Sequence, residues 1–315
     1  MPRAAQQLPS CRRSIPVEKT PSPAANLGAR LSVLARDIKI SHTVFAMPWA
    51  ILAAFLAADG WPRAGQLLLI LLCMVTARTV AMSANRLLDA RLDAMNPRTA
   101  GRALPSGRLS RAFMLGTLVA CAAAFIAATA LFQLFYANSW PLLLSVPVLG
   151  FLVAYPLMKR FTRLCHYYLG GALALAPVCA WVAISGGIAL TPLIMAAAVL
   201  LWTAGFDIIY ACQDYESDLR TGVISIPARL GIARALWVAR LTHALCASLI
   251  LLLGWHAPQL GLLWTIGAGA AVLLLVVEHS LVRAGDLSLA NMASLRVNGV
   301  ISLLLGTLGV VDVLT

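Results

Sequence analysis

Long apolar segments alternate with short polar connections from about residue 42 to the end of the chain. Each is close to the length of about 20 residues that a helix needs to cross the hydrocarbon layer of a bilayer. Lipid offers backbone N–H and C=O groups no other hydrogen-bond partner, so each segment is predicted to be an α-helix. About nine segments show this pattern: 42–58, 66–88, 112–133, 139–157, 166–185, 191–213, 233–254, 258–279 and 296–314. The pattern predicts an all-α polytopic membrane protein.

The composition agrees with this prediction, and the charge indicates an orientation. The 315-residue chain is 61% hydrophobic and only 11% charged, yet its formal net charge is +12. Lys and Arg concentrate in alternate connections, which the positive-inside rule places in the cytoplasm together with the N-terminus. We therefore expect an integral protein of a bacterial inner membrane whose basic loops also favour acidic lipid, and we do not expect nucleic-acid binding.

The N-terminal residues differ from the rest. Residues 1–30 are rich in Pro, Ser and Arg and lack the apolar core of a secretory signal. We predict a disordered basic tail, with a transit-like segment as the alternative, followed by one transmembrane domain over residues 31–315. The stretch "LSVLARDIKIS" is typical of a short interfacial helix before the first span.

Two acidic stripes stand out against the apolar background. "NRLLDARLD" places Asn85, Asp89 and Asp93 at i,i+4 spacing, and "DIIYACQDYESD" places Asp207, Tyr210, Asp214 and Asp218 on one helix face. Six of the twelve acidic residues of the chain lie in these two stretches. A single carboxylate near a membrane surface usually has no function. Two matched stripes on the predicted cytoplasmic side favour a site.

The residue types indicate the chemistry of that site. Carboxylates that face one another repel, so a cation is expected between them, and hard oxygen ligands with no Cys or His cluster favour Mg²⁺ shared with substrate phosphates. Basic side chains would balance the remaining charge of a diphosphate. The candidates are Arg78, Arg86, Arg91, Lys159 and Arg160.

The motifs resemble those of the UbiA superfamily of intramembrane aromatic prenyltransferases. "NRLLDARLD" matches its NxxxDxxxD motif and "DYESD" its DxxxD motif, and the resemblance extends over "NPRTAGRALPSGRLS" and "YPLMKRFTRLCH". It is strongest to the 4-hydroxybenzoate polyprenyltransferase-like branch, which includes the futalosine-pathway menaquinone enzymes. The resemblance implies nine transmembrane helices around a central cavity, cytoplasmic cap loops after helices two and six, and Mg²⁺-dependent transfer of a polyprenyl group from its diphosphate to an aromatic acid.

Residue roles follow from the resemblance position by position. Asp89, Asp93, Asp214 and Asp218 match the metal and diphosphate carboxylates, Asn85 the motif asparagine that contacts metal or diphosphate, and Lys159 a basic residue on the diphosphate. The chain departs from ubiquinone-type members at Lys39-Ile40 and at "GVISIPARLG". The acceptor therefore remains open between 4-hydroxybenzoate, for ubiquinone, and 1,4-dihydroxy-6-naphthoate, for menaquinone, or another acceptor of the superfamily.

Further candidates have a structural alternative beside the functional one. Tyr155 and Tyr210 either support an allyl cation or orient the diphosphate, or only pack, and Arg78 or Arg36 could pair with the acceptor carboxylate. The loop "NPRTAGRALPSG" is either a lid carrying an arginine over the diphosphate or a plain connection. His166 is interpreted as a capping or interfacial histidine.

A cation-coupled transporter is the hypothesis from a different class. Transport predicts carboxylates near the membrane midplane on broken helices, whereas both stripes lie at predicted helix ends. Mg²⁺-dependent release of diphosphate would distinguish the two classes.

Overall fold

The computed structural model describes residues 26–38 and 45–315, and its described part is helical. A 3₁₀ turn at Cys212–Asp214 and a π-helical segment at Ala293–Val297 interrupt the α-helices. The helices are α1 Leu27–Asp37, α2 Met47–Ala58, α3 Ala64–Met95, α4 Arg111–Tyr136, α5 Trp140–Met158, α6 Cys165–Ser185, α7 Leu190–Ala211, α8 Tyr215–Thr221, α9 Ile226–Leu230, α10 Ile232–His256, α11 Leu262–Ser280, α12 Ala290–Met292 and α13 Asn298–Leu314.

These helices confirm the predicted polytopic all-α membrane protein. Within the described residues, eight helices are long and apolar enough to cross a membrane, and α2 is a shorter apolar helix. Each of the nine predicted segments overlaps one of these helices. The first segment is described only from Phe45 onward.

The N-terminal helix begins earlier than the predicted domain boundary at residue 31. Helix α1 starts at Leu27, and the Asn26 side chain caps it by accepting a hydrogen bond from the Ala29 N–H at 2.8 Å. Residues 1–25, most of the predicted disordered tail, lie outside the described residues. The tail therefore stays a prediction.

Close helix contacts build the bundle. Helix α6 packs against α2, α5 and α7, α7 packs against α10, and α13 contacts both α11 and α2. A Cβ at Gly170 of α6 would collide with the Leu200 carbonyl of α7, and a Cβ at Gly306 of α13 with Pro48 of α2. Glycine permits such close approach where lipid supplies little drive for helices to associate.

Helix length positions the acidic stripes. The 32 residues of α3 extend over about 48 Å, well beyond the roughly 30 Å of hydrocarbon, so its last turns can carry polar groups outside the apolar layer. The second stripe does not lie on one continuous helix as predicted. A 3₁₀ turn at Cys212–Asp214 separates α7, which carries Asp207 and Tyr210, from α8, which carries Asp218.

Candidate active site

A polar cavity of about 310 Å³ lies among the ends of α3, α5 and α7, helix α8 and the loop of residues 96–110. We call this loop the lid loop. Both acidic stripes line the cavity, although Asp89 and Asp214 are 125 positions apart in the sequence. The lining residues from the stripes are Asn85, Asp89, Asp93, Asp207, Tyr210, Asp214 and Asp218.

Asp89 is the most deeply buried carboxylate of the first stripe, with its side chain 1% exposed. Its Oδ2 accepts a hydrogen bond from Lys159 Nζ at 2.5 Å. Its Oδ1 has no hydrogen-bond partner among the described residues, and Arg160 NH2 lies 3.6 Å from it. One carboxylate oxygen therefore remains open to a further ligand.

Asp93, one turn further along α3, repeats this arrangement. Arg102 of the lid loop donates to its Oδ1 at 2.7 Å. The Asp93 Oδ2 is buried and has no partner within the described part of the chain. In Asp89 and Asp93 alike, one carboxylate oxygen forms an ion pair with a basic side chain, and the other has no hydrogen-bond donor among the described residues.

Asp214 of the second stripe is held by the lid loop. The Arg98 guanidinium forms a bidentate ion pair with it, with Nε donating to Oδ1 at 2.8 Å, and Asn96 Nδ2 donates to the same oxygen at 2.8 Å. Arg98 also donates to the Tyr210 hydroxyl at 2.5 Å. Burial lowers the pKa of the Arg98 guanidinium, but the hydrogen bond and charge of Asp214 outweigh it and raise the pKa above its ordinary value. Arg98 is firmly cationic in the site.

Asp218 is the cavity carboxylate of α8, and its described hydrogen bond comes from a hydroxyl. Ser225 Oγ donates to its Oδ2 at 2.7 Å, and the same oxygen of Ser225 accepts from the Ala228 N–H at 3.2 Å. Ser225 caps helix α9 in this way. The cap also fixes the orientation of Asp218.

Asn85 lines the cavity, and one of its two polar groups is already hydrogen-bonded within the protein. Its Oδ1 accepts from Arg86 at 2.9 Å, which identifies the oxygen and leaves the amide N–H₂ as the other polar group. The remaining Arg86 donors contact Asp37, with Nε 2.9 Å from Oδ2 and NH2 3.0 Å from the Asp37 carbonyl oxygen. Arg86 therefore joins α1 to α3, which disfavours its predicted role on a diphosphate.

The carboxylates do not repel one another unpaired, as the sequence argument assumed. Lys159, Arg102 and Arg98 each pair with one of them. Among the described residues, no group of three or more His, Cys, Asp or Glu side chains is arranged to bind a metal ion alone. The free oxygens of Asp89 and Asp93 nevertheless suit Mg²⁺, which keeps waters and shares substrate phosphate oxygens.

The other predicted residues separate into two groups. Arg78, Tyr155, Lys159 and Tyr210 line the cavity. Arg160 does not line the cavity. It donates to the Leu88 carbonyl at 2.6 Å and so connects the residues after α5 to α3. Arg36 donates to Ser32 of its own helix, and Arg91 is exposed.

The lid loop was predicted without a choice of arginine, and the structure distinguishes the three candidates. Arg98 and Arg102 reach cavity carboxylates. Arg108 instead donates within the loop, to the Gly101 carbonyl at 2.5 Å and to Ser106 Oγ at 3.1 Å. Two of the three arginines therefore favour the lid interpretation.

His166 and Asp207 form a cavity pair that the sequence did not reveal. His166 Nδ1 lies 2.7 Å from Asp207 Oδ2, while the Ile226 N–H donates to Nε2 at 3.3 Å. Because Nε2 accepts this hydrogen bond, Nδ1 carries the ring proton and donates a hydrogen bond to Asp207 Oδ2. His166 is buried, so it is not interfacial, and it accepts the first N–H of α9 rather than capping its own helix. Its pairing with Asp207, 41 positions away, had no signal in the sequence.

A second, apolar cavity of about 180 Å³ adjoins the polar one. Helices α3, α4, α5 and α6 supply its walls. Five residues line both cavities, namely Arg78, Met82, Tyr155, Leu169 and Leu173. The two cavities therefore meet at a boundary formed by these side chains.

Comparison with known proteins identifies relatives of the same architecture. The sequence model of the UbiA prenyltransferase family matches residues 46–300. A 4-hydroxybenzoate octaprenyltransferase of Chromohalobacter salexigens is 30% identical over 260 residues, which cover 81% of this chain and 82% of that protein. A UbiA homolog from Aeropyrum pernix K1 superimposes with a TM-score of 0.78 and 31% identity, covering 87% of this chain and 99% of that one. A UbiA homolog from Archaeoglobus fulgidus bound to GPP and Mg²⁺ has the same fold, with a TM-score of 0.70, 20% identity, and coverage of 89% and 99%.

Proposed function

The chain belongs to the UbiA prenyltransferase family, and we propose that it transfers a polyprenyl group from a polyprenyl diphosphate to the ring of 4-hydroxybenzoate with the aid of Mg²⁺. The chain is a membrane-embedded prenyltransferase. Our proposal concerns its acceptor, its metal and the roles of its residues. One observation carries the proposal. Two acidic stripes, and the three basic side chains paired with them, line one polar cavity that adjoins an apolar one.

The paired cavities suit the two ends of the donor. A diphosphate would lie in the polar cavity, where Lys159, Arg98 and Arg102 can contact its oxygens. The isoprenoid chain would extend into the apolar cavity, whose walls match its chemistry. The allylic carbon would then lie near Tyr155, at the boundary between the two.

Asp89, Asp93 and the Asp214–Asp218 pair would hold the metal together with diphosphate oxygens. Mg²⁺, when bound, supplies a positive charge that stabilises the departing diphosphate. On the α3 side of the site, the free oxygens of Asp89 and Asp93 are the ligands that we propose for it. We propose that Asn85 donates its amide N–H to a diphosphate oxygen, because Arg86 already uses its Oδ1.

Positive side chains would drive the chemical step. The allylic C–O bond breaks with its electron pair on the diphosphate, whose charge Lys159 and Arg98 stabilise. A ring carbon of the acceptor then bonds to the allylic carbon, and the proton that this ring carbon carried passes to the released diphosphate. The Tyr155 ring can stabilise the cation electrostatically, and apolar walls exclude the water that would quench it.

The acceptor is proposed from the relatives and from one cation. The Chromohalobacter relative is named for 4-hydroxybenzoate, and Arg78 at the boundary could pair with the carboxylate of an aromatic acid. The rival acceptor, 1,4-dihydroxy-6-naphthoate, carries the same carboxylate and belongs to menaquinone formation. Both therefore enter the test.

The proposed location follows the basic loops. We propose that the polar cavity faces the cytoplasm of a bacterium and that the helices span its inner membrane, because the lid loop and the α5–α6 connection are basic. Water-soluble acceptor and Mg²⁺ would then reach the site directly from the cytoplasm.

The purified chain in lipid nanodiscs tests the proposal. Each acid is supplied with octaprenyl or geranyl diphosphate, with and without Mg²⁺, while diphosphate release and prenylated product are measured. We expect Mg²⁺-dependent formation of prenyl-4-hydroxybenzoate, and a product from the naphthoate alone would replace the acceptor. Absence of diphosphate release with every acid, together with cation flux into liposomes, would favour the transporter instead.

A further inference from the structure

The Asp37 carboxylate, at the end of α1, joins this helix to α3 and to the lid loop, 49 and 66 positions further along the sequence. Its Oδ2 accepts from Arg86 Nε of α3 at 2.9 Å, and its Oδ1 accepts from the Ala103 N–H of the lid loop at 2.7 Å. Its backbone carbonyl accepts from Arg86 NH2 at 3.0 Å. The Asp37 and Arg86 side chains are each only 4% exposed, so little water competes for these hydrogen bonds.

Apolar contacts surround this polar junction. Leu34 and Ile38 of α1 form one buried cluster with Ala103 and Leu109 of the lid loop and Met114 of α4. Helix α1 is exposed over its first half and buried where it meets the lid loop. The end of α1 therefore packs directly on the loop.

Both branches from Asp37 lead to the cavity. Ala103 follows Arg102, which contacts Asp93, and the same loop carries Arg98, which contacts Asp214. Arg86 uses its third donor to hold Asn85 Oδ1 at 2.9 Å. A change at Asp37 would therefore reach the cavity through the loop and through the asparagine at once.

We propose that Asp37 is a positioning residue for the donor diphosphate, which places the lid loop through Ala103 and orients Asn85 through Arg86. The inference rests on the proposed function. The negative charge of Asp37 pairs with the buried Arg86 cation. The carboxylate also has two acceptor oxygens, one for Arg86 and one for the Ala103 N–H. An asparagine of the same size offers only one acceptor oxygen, so one of the two partners would face an N–H₂ group.

The test compares Asp37→Asn with Asp286→Asn in the full-length protein. Asp286 is a fully exposed carboxylate in the connection after α11, on the same predicted side of the membrane, and is a matched control. We expect Asp37→Asn to raise KM for the prenyl diphosphate about tenfold, as for loss of one charge-assisted hydrogen bond, with a change in kcat of less than about threefold. Asp286→Asn should change neither.

A second readout needs no substrate, so it separates this proposal from the proposed function. Trypsin cleavage after Arg98 and Arg102, followed by mass spectrometry, should be about tenfold faster in Asp37→Asn than in the wild type. An unchanged KM with unchanged cleavage would overturn the proposal. Faster cleavage of Asp37→Asn, in a protein whose wild type transfers no prenyl group, would overturn the proposed function but support the junction.

A measurement on the wild type decides the question if Asp37→Asn does not fold. Hydrogen–deuterium exchange at the Ala103 amide should be slow, because this N–H donates to a buried carboxylate. Exchange at the rate of an unstructured peptide would show that the junction is not formed, and would overturn the proposal.

Discussion

At the residue scale, the buried carboxylates of α3 have the greatest consequence for the proposed chemistry. Asp89→Asn keeps the size of the side chain but removes the charge that pairs with Lys159 and would bind Mg²⁺. We expect prenyl transfer to fall at least about a hundredfold, the loss typical for one charge-stabilising group in an active site. The rate of prenylated-product formation measures this.

A matched substitution controls for general damage. Asp59→Asn changes an exposed carboxylate that bonds to Gln259 near the opposite ends of the helices, and should leave the rate unchanged. An Asp89→Asn enzyme within about twofold of the wild type would remove Asp89 from the site.

The lid loop offers a second comparison between two arginines. Arg98→Ala removes the bidentate partner of Asp214, and we expect KM for the prenyl diphosphate to rise about tenfold or more. Arg108→Ala, in the same loop, removes contacts only within the loop and should have a much smaller effect. Steady-state kinetics of both variants decides the matter, and equal effects would mean that the loop acts only as a structural element.

Lys159 can be compared in the same way with Arg160, the adjacent residue that the sequence also predicts to bind diphosphate. Lys159→Ala removes the ammonium group 2.5 Å from Asp89 and should raise KM for the donor, while Arg160→Ala should chiefly affect stability because Arg160 bonds to the Leu88 carbonyl. Kinetics and thermal unfolding of both variants provide the readout. A donor KM unchanged in Lys159→Ala would exclude its contact with diphosphate.

Sequence spacing identified the carboxylates but not their partners. Asp89, Asp93, Asp214 and Asp218 follow a local i,i+4 pattern, so they could be read from the chain. Partners such as Arg98 for Asp214, 116 positions away, depend on the fold of a loop that has no period. The pairing of Arg86, which lines the cavity, with Asp37 had no signal for the same reason, since nothing in the sequence shows that the two lie side by side.

At the element scale, a buried polar network joins α7, α10, α11 and α13. Glu278 is 0% exposed, and its Oε1 accepts from Asn298 at 2.8 Å, while Asn298 Oδ1 accepts from the Trp202 indole at 2.5 Å. Glu278 Oε2 has no hydrogen-bond partner among the described residues, and His243 Nδ1 lies 3.7 Å away. Asn298 therefore joins α7, α11 and α13, while His243 joins α10 to α7 and α11 through the Trp202 carbonyl at 3.1 Å and His279 Nε2 at 3.0 Å.

This geometry predicts that an uncharged isostere is tolerated. Glu278→Gln keeps an acceptor for Asn298, so the melting temperature should stay close to that of the wild type. Glu278→Leu removes the 2.8 Å acceptor and leaves the Asn298 amide only its 3.3 Å contacts to the carbonyls of Ala293 and Ser294, so it should cost about 1–3 kcal/mol of stability. Thermal unfolding in detergent measures both, and equal destabilisation would show that the negative charge itself is required.

Helix positions were predictable, but their exact ends were not. Hydropathy alone located each span, because the bilayer sets the length of an apolar helix. The 3₁₀ turn at Cys212–Asp214 and the π-helical segment at Ala293–Val297 have no signal in the pattern of apolar residues. Both depend on tertiary contacts, and the first changes the face on which the second stripe continues.

At the scale of the whole molecule, the apolar cavity should limit the length of the donor chain. Ala176 lies in its wall, and Ala176→Phe would fill part of the roughly 180 Å³ space. We expect activity with octaprenyl diphosphate to fall about tenfold or more relative to geranyl diphosphate, because overfilled apolar space excludes the longer chain. Ala123→Phe, on an exposed position of α4, is the control and should leave the ratio unchanged.

The global arrangement was predictable only through the family resemblance. The spacing of residues and the distribution of charge predict nine helices and two acidic stripes on one side of the membrane. Neither pattern shows whether the two stripes lie close together in the fold. The structure brings them to one cavity, so the acidic ends of α3 and α7–α8 share the lid loop as a common partner. The apolar cavity beside it could not be predicted from the sequence, apart from the low aromatic content of the chain.

The central claim is that both stripes bind one metal–diphosphate complex. The most direct measurement is electron paramagnetic resonance of Mn²⁺, which takes oxygen ligands as Mg²⁺ does, titrated with inorganic diphosphate into the wild type, Asp89→Asn and Asp214→Asn. The account predicts diphosphate-dependent Mn²⁺ binding in the wild type and its loss in each single variant. Full binding in either variant would contradict a shared site.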